Sequence, residues 1–194
     1  MITKNEERVL KFIATNPGNE NYVNNIAREL SLAPSGGKWI LANLEKRDIL
    51  EHRKVGNLKC YKIKFNDKSK DLLRFIYNPE LDKRLKFRKE DLKPLMGIVD
   101  AAIVFGSYLY KKDPNDIDIL FIFKNKNFKK FSKELDKIKE LIPIKVHDVI
   151  QTREDLISNI LIKDKIVIEA LSNGKILWGE KFIVEVLKDV SKKT

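Results

Sequence analysis

Apolar residues recur at helical spacing over Lys4–Thr15, where Val9, Leu10, Phe12 and Ile13 share one stripe. Asn16-Pro17-Gly18-Asn19 carries turn chemistry that ends this helix. A second helix is expected from about Tyr22 to Leu30, burying Val23, Ile26, Ala27 and Leu30. Ser31-Leu32-Ala33-Pro34 is a short turn, and Pro34 suits the first turn of a third helix. That helix runs to about Lys46 with Leu41 and Leu44 inward. The period then falls to two. Ile49–Val55 and Leu58–Phe65 read as strands joined by Gly56-Asn57, the second with lysines between its apolar residues.

Residues 67–96 read as a charged helical connector punctuated by Pro79 and Pro94. Leu72, Leu73, Phe75 and Ile76 form one apolar face, and Leu81, Leu85, Leu92, Leu95 and Met96 suggest packing on a neighbour. From residue 97 strands and helices alternate. Ala101–Phe105, Asp116–Phe123 and Ile144–Ile150 are expected as strands, with an amphipathic helix over Asn127–Leu141. Thr152 is a cap for a helix beginning at Arg153. Ile166–Leu171 and Phe182–Val190 read as helical, with Lys175–Trp178 extended between them. The expected fold class is α+β in two domains, residues 1–66 and 97–194, the second built on a mixed sheet.

Composition changes little in this picture. The 194 residues are 43% hydrophobic and 35% charged, which fits a chain with a real core. No apolar run nears the ~18 residues of a spanning helix, so no membrane partner is expected. The N-terminus lacks a secretory apolar region, and a lone Cys60 leaves no disulfide framework. These features favour the cytoplasm. The net charge is +11, and residues 1–66 hold 12 basic against 7 acidic groups. A basic excess favours polyanionic partners, and Lys-rich composition that merely aids solubility explains it equally well.

Three helices and a basic hairpin describe a helix-turn-helix with a wing. The stretch YVNNIARELSLAPSGGKWILANLEKRDILEHRKVGNLKCYKIKF resembles the winged helix-turn-helix family of DNA-binding regulators. The resemblance rests on the Ile-Ala-x-x-Leu second helix, the Leu-Ala-Pro-Ser turn and the basic hairpin. It implies a third helix that offers Ser35, Lys38, Trp39 and Asn43 to base edges. Arg53, Lys54 and Lys59 of the wing would lie near phosphates. Gly36-Gly37 is unusual there, since each Gly weakens a helix by about 1 kcal/mol relative to Ala. Winged helices also dock proteins or dimerise, so Trp39 is equally an interface anchor and a homodimer stays open.

The stretch that carries chemistry is Ile103-Val104-Phe105-Gly106-Ser107, followed by Asn115-Asp116-Ile117-Asp118-Ile119-Leu120. An apolar strand runs into Gly-Ser, and Asp-x-Asp stands on the next strand. Alternation points Asp116 and Asp118 the same way, roughly 6–7 Å apart along the chain. Ile117, Ile119, Phe121 and Phe123 then face the core. Two carboxylates on one face repel unless a cation sits between them, and Mg²⁺ accepts a few carboxylate oxygens with substrate phosphates. The Gly106-Ser107 turn offers backbone N–H groups to phosphate.

This unit resembles the polymerase-beta-like nucleotidyltransferase superfamily, most closely its minimal members, over roughly Asp100 to Glu180. The resemblance implies an NTP substrate, with Gly106 and Ser107 at its β,γ-phosphates and Asp116 and Asp118 holding two Mg²⁺ (or Mn²⁺). It implies a protein or RNA hydroxyl as acceptor. Minimal members carry Ala-Arg-Gly where Leu109-Tyr110-Lys111 stands here, so Lys111 or Lys112 is the available positive charge. The family's third carboxylate lies on the third strand, where Asp148 is the only acid. Alternation groups Asp148 with Ile144, Val146 and Ile150 and sets Lys145 and His147 on the more polar face, which leaves its place ambiguous. His147 reads as an ordinary strand residue, His52 as structural or solvated, and Cys60 as a small buried apolar group. The alternative function is a DNA-binding regulator whose nucleotidyltransferase-like domain is inactive or senses nucleotide.

Overall fold

A computed structural model describes residues 2–18 and 21–193. Asn19, the last residue of the expected turn, lies outside them. The chain forms two compact units, Met1–Ile76 with Leu187–Thr194, and Tyr77–Val186. The stretch expected as a separate connector is divided between them. Among the described residues, no helix is long and apolar enough to cross a membrane.

The first unit opens with helices α1 (Lys4–Thr15), α2 (Val23–Glu29) and α3 (Pro34–Lys46). The strands β1 (Leu50–Val55) and β2 (Leu58–Ile63) then pair antiparallel, from Leu50 opposite Ile63 to Val55 opposite Leu58. Tyr22 adds a single antiparallel bridge to Cys60. Val9, Leu10 and Ile13 of α1, Ile26 of α2, Leu41 and Leu44 of α3, and Leu50, Tyr61 and Ile63 of the hairpin are buried. Cys60 is buried as well, as its small apolar side chain suggested. Gly37 has a packing reason. A Cβ there would stand 3.3 Å from the Ala27 Cβ, so the glycine lets α3 lie close on α2.

Glu6 ties this unit together. It closes a capping box with Thr3 at the start of α1. Its side chain also accepts from Asn43 Nδ2 and from the Arg47 guanidinium, each at 2.9 Å. Burial alone raises the Glu6 pKa, but the bonds from Thr3 and Asn43 and the charge of Arg47 outweigh it and hold the carboxyl below the usual glutamate value. A depressed folded-state pKa contributes stability that is full above the unfolded value and disappears as pH falls through the folded one. Thermal melts of wild type and Glu6→Gln are therefore expected to converge as pH drops below the ordinary glutamate range. At neutral pH, Glu6→Ala removes the acceptor shared by the partly buried Asn43 and Arg47 and should cost about 1–2 kcal/mol.

Helix α4 (Asp67–Tyr77) follows the hairpin, and its residues through Ile76 count with the first unit. Helix α5 (Lys83–Asp91) belongs to the second unit, where Leu85, Leu92 and Leu95 are buried in the core. Met96, expected to pack as they do, is 37% exposed.

The second unit is built on strands β3 (Ala101–Phe105), β4 (Asp116–Ile122), β5 (Lys145–Gln151) and β6 (Lys175–Trp178). Their order is β5-β4-β3-β6, a mixed sheet in which only β4 and β5 run parallel. Helix α6 (Phe128–Leu141) connects that parallel pair. Ala102, Val104, Ile117, Ile119, Phe121 and Phe123 face a core shared with Phe131, Leu135 and Ile138 of α6. Phe131 stacks on Phe123, ring centroids 4.4 Å apart. Helix α7 (Arg153–Leu161) contacts β5, helix α8 (Lys165–Asn173) contacts β3, and α9 (Glu180–Ser191) ends the chain. Thr152 caps α7 through a box with Asp155. The mixed sheet, with helices on it, makes this unit α+β.

Candidate active site

Strand β3 ends at Phe105, which lies opposite Asp118 of β4. The chain must turn sharply there, and Gly106 does so at φ +70°. That region is costly for any residue with a Cβ. Space makes the same demand, since a Cβ on Gly106 would lie 2.5 Å from Asp118 Oδ2. Residues Gly106–Leu109 form one short 3₁₀ turn. Its Ser107 hydroxyl reaches toward Asp116, 3.5 Å from Oδ1. The two carboxylates and the Gly-Ser turn thus come together at one corner of the sheet.

Alternation along β4 separates its two kinds of residue as expected. Ile117 and Ile119 are buried against α6, while the side chains of Asp116 and Asp118 stay partly open to solvent on the other face. Two carboxylates side by side suit a divalent cation that also takes phosphate oxygens. Among the described residues, no group of three or more His, Cys, Asp or Glu side chains is arranged to hold a metal. The protein's own oxygen donors at this corner are two carboxylates and, beside them, a hydroxyl. That set fits an ion which arrives with its phosphate-bearing substrate.

Asp148 is not brought to this corner. In the parallel register it lies opposite Ile119, and so on the face that α6 covers. There Lys139 of α6 donates to its carboxylate at 2.5 Å. The β5 residue beside the acids is His147, the register partner of Asp118. Its Nδ1 lies 3.4 Å from Asp118 Oδ1 and 3.9 Å from Asp116 Oδ2. His147, expected as an ordinary strand residue, thus stands beside the two acids. Lys111 is exposed just beyond the turn, and its backbone N–H donates to the Ser107 carbonyl.

Arg84 of α5 is a residue that motif reasoning missed. Its guanidinium donates to the carbonyls of Tyr108, at 2.5 Å, and Lys111, at 2.9 Å, and lies over the Tyr108 ring. It fastens the far end of the turn that begins at Gly106. Burial pushes the Tyr108 phenol up against the opposing pull of Arg88 and Arg84. Lysine cannot make both bonds at once in this fork geometry. Arg84→Ala is expected to weaken NTP binding about tenfold, the worth of one charge-assisted bond. Arg84→Lys should recover part of it, and calorimetric titration with nucleotide reads both.

In the first unit, Ser35, Lys38, Arg53, Lys54 and Lys59 are exposed, and Trp39 is 64% exposed. An open groove runs between α2, α3 and the hairpin, lined by Arg28, Lys38, Lys59, Asn25 and Tyr22 among others. Lys59 lies 3.7 Å from Glu45 while remaining about half exposed. Asn43 does not join this surface, because its amide is committed to Glu6. His52 contacts Glu45 through Nδ1 and is structural.

Comparison with known families agrees with the second unit's geometry. Residues 93–173 match the family described as Polymerase beta, Nucleotidyltransferase, a stretch that is less than half of the chain. It contains the Gly-Ser turn, both acids and His147, and it stops before β6. The match supports a nucleotidyltransferase domain here, with a nucleotide as substrate and nucleotidyl transfer as the general chemistry. No curated protein matches the chain, and no solved structure does.

Proposed function

We propose that the chain is a metal-dependent nucleotidyltransferase that moves a nucleoside monophosphate from an NTP to a hydroxyl of protein or RNA. The observation that carries this reading is the convergence of Asp116 and Asp118 on a Gly-Ser turn that lies directly against Asp118. In the transfer, the acceptor oxygen bonds to the α-phosphorus, the bond to pyrophosphate breaks, and the hydroxyl proton passes to water. Asp116 and Asp118 would hold Mg²⁺ or Mn²⁺, which would supply charge neutralisation at the phosphates. The Gly106-Ser107 turn, fastened by Arg84, orients the phosphates for departure, and Lys111 adds positive charge at the rim. The experiment is transfer of label from each α-labelled NTP, with Mg²⁺ or Mn²⁺, to the protein itself, to RNA and to a lysate. Label on one acceptor class is expected; none on any class from folded protein refutes the enzyme reading.

The first unit is proposed to be a winged helix that binds duplex DNA. Ser35, Lys38 and Trp39 of α3 would face the groove of the duplex, and Arg53, Lys54 and Lys59 its phosphates. All six are exposed, and Lys38 and Lys59 line one open groove with Arg28, which favours that reading. It also keeps the second function in view, a DNA-binding regulator whose second unit binds nucleotide without turning it over. Duplex affinity that falls steeply with salt, and whose slope shrinks by about one for each wing cation removed, is the expected result. A flat salt dependence counts against both DNA readings.

A further inference from the structure

Strand β5 brings no acid to the two carboxylates. The register partner of Asp116 is Lys145 and that of Asp118 is His147. Asp148, the one acid on that strand, is on the opposite face and paired with Lys139. An imidazole, neutral or protonated, adds no negative charge, and a lysine subtracts it. Two divalent ions held about 3.5–4 Å apart repel strongly and need shared carboxylates to stay together. One ion with a nucleotide needs only one or two. The Nδ1 of His147 lies 3.4 Å from Asp118 Oδ1 and 3.9 Å from Asp116 Oδ2, so position 147 is within reach of both acids.

We propose that the site holds a single divalent cation, carried with the nucleotide onto Asp116 and Asp118, because His147 stands where β5 would have to supply a carboxylate for a second. The inference rests on the nucleotide-binding reading above and deepens it. The chain is then a nucleotide binder first, and it must activate its acceptor without a second ion. His147 limits ion number only by bringing no negative charge to a position beside Asp118.

The test is equilibrium dialysis of the full chain with Mn²⁺ and a non-hydrolysable NTP analogue, counting retained ions per retained nucleotide. Wild type is expected to retain one Mn²⁺ per nucleotide. His147→Ala is expected to stay at one, with Mn²⁺ affinity within about twofold, because the imidazole is not a ligand. His147→Asp is expected to reach two, and His147→Glu serves if the aspartate variant does not fold. Two ions in wild type, a lost ion in His147→Ala, or one ion in the folded acidic variant overturns the proposal. The double variant Asp116→Asn, Asp118→Asn separates this from the reading beneath it. If that variant retains ion and nucleotide as wild type does, the site itself has been wrongly assigned.

Discussion

Asp118→Asn is expected to remove nucleotidyl transfer while leaving the fold intact. The carboxylate is partly open to solvent, on the face of β4 away from the α6 core, so an isosteric amide disturbs no packing. The change also relieves repulsion between two neighbouring acids. What it removes is half of the negative charge proposed to hold the cation and, through it, the phosphates. Metal-assisted charge stabilisation is worth several kcal/mol, so transfer should fall by about a thousandfold or more. Label transfer under single-turnover conditions reads the loss, and a thermal melt reads the fold. A variant that melts normally and transfers at the wild-type rate contradicts the assigned role.

Gly106→Ala is expected to damage both stability and activity. The backbone at φ +70° costs an L residue about 1–2 kcal/mol, before any contact is considered. The new methyl then meets Asp118 Oδ2 at 2.5 Å, closer than atoms can approach. Either the carboxylate rotates away or β3 and β4 separate at Phe105 and Asp118. A total cost of about 2 kcal/mol should lower the melting temperature by roughly 8 °C. Transfer should fall further than that loss explains, because the acid that moves is the one proposed to hold the cation. Ser107→Ala offers the contrast. Its hydroxyl touches only the edge of Asp116, so stability should hardly change.

Where periodicity is local, the chain's pattern was enough to place its elements. The alternation Ile117, Ile119, Phe121, Phe123 against Asp116 and Asp118 needs no partner strand to be read. Gly-Ser before Asp-x-Asp likewise joins neighbours in sequence. The third site position depends on something else. Alternation along β5 already set His147 on the polar face and Asp148 with the apolar residues, but which of them meets the acids is fixed by the parallel register of β5 on β4, a contact made across the α6 connection. Arg84 was invisible for a similar reason. It lies on a highly charged helix 24 residues before the carbonyl of Tyr108 that it holds, with nothing in sequence to mark it. Asn43 looked like a base-reading amide because α3 was considered alone, whereas its partner is the capping glutamate of α1. Gly37 became intelligible only with Ala27 of α2 against it.

The most direct test of the central claim uses ATP labelled at the α- or the γ-phosphate, with wild type and the Asp116→Asn, Asp118→Asn double variant. Nucleotidyl transfer at this site predicts α-label on the acceptor, no γ-label, and neither from the variant. Transfer of γ-label, or α-label that persists without both carboxylates, would contradict it.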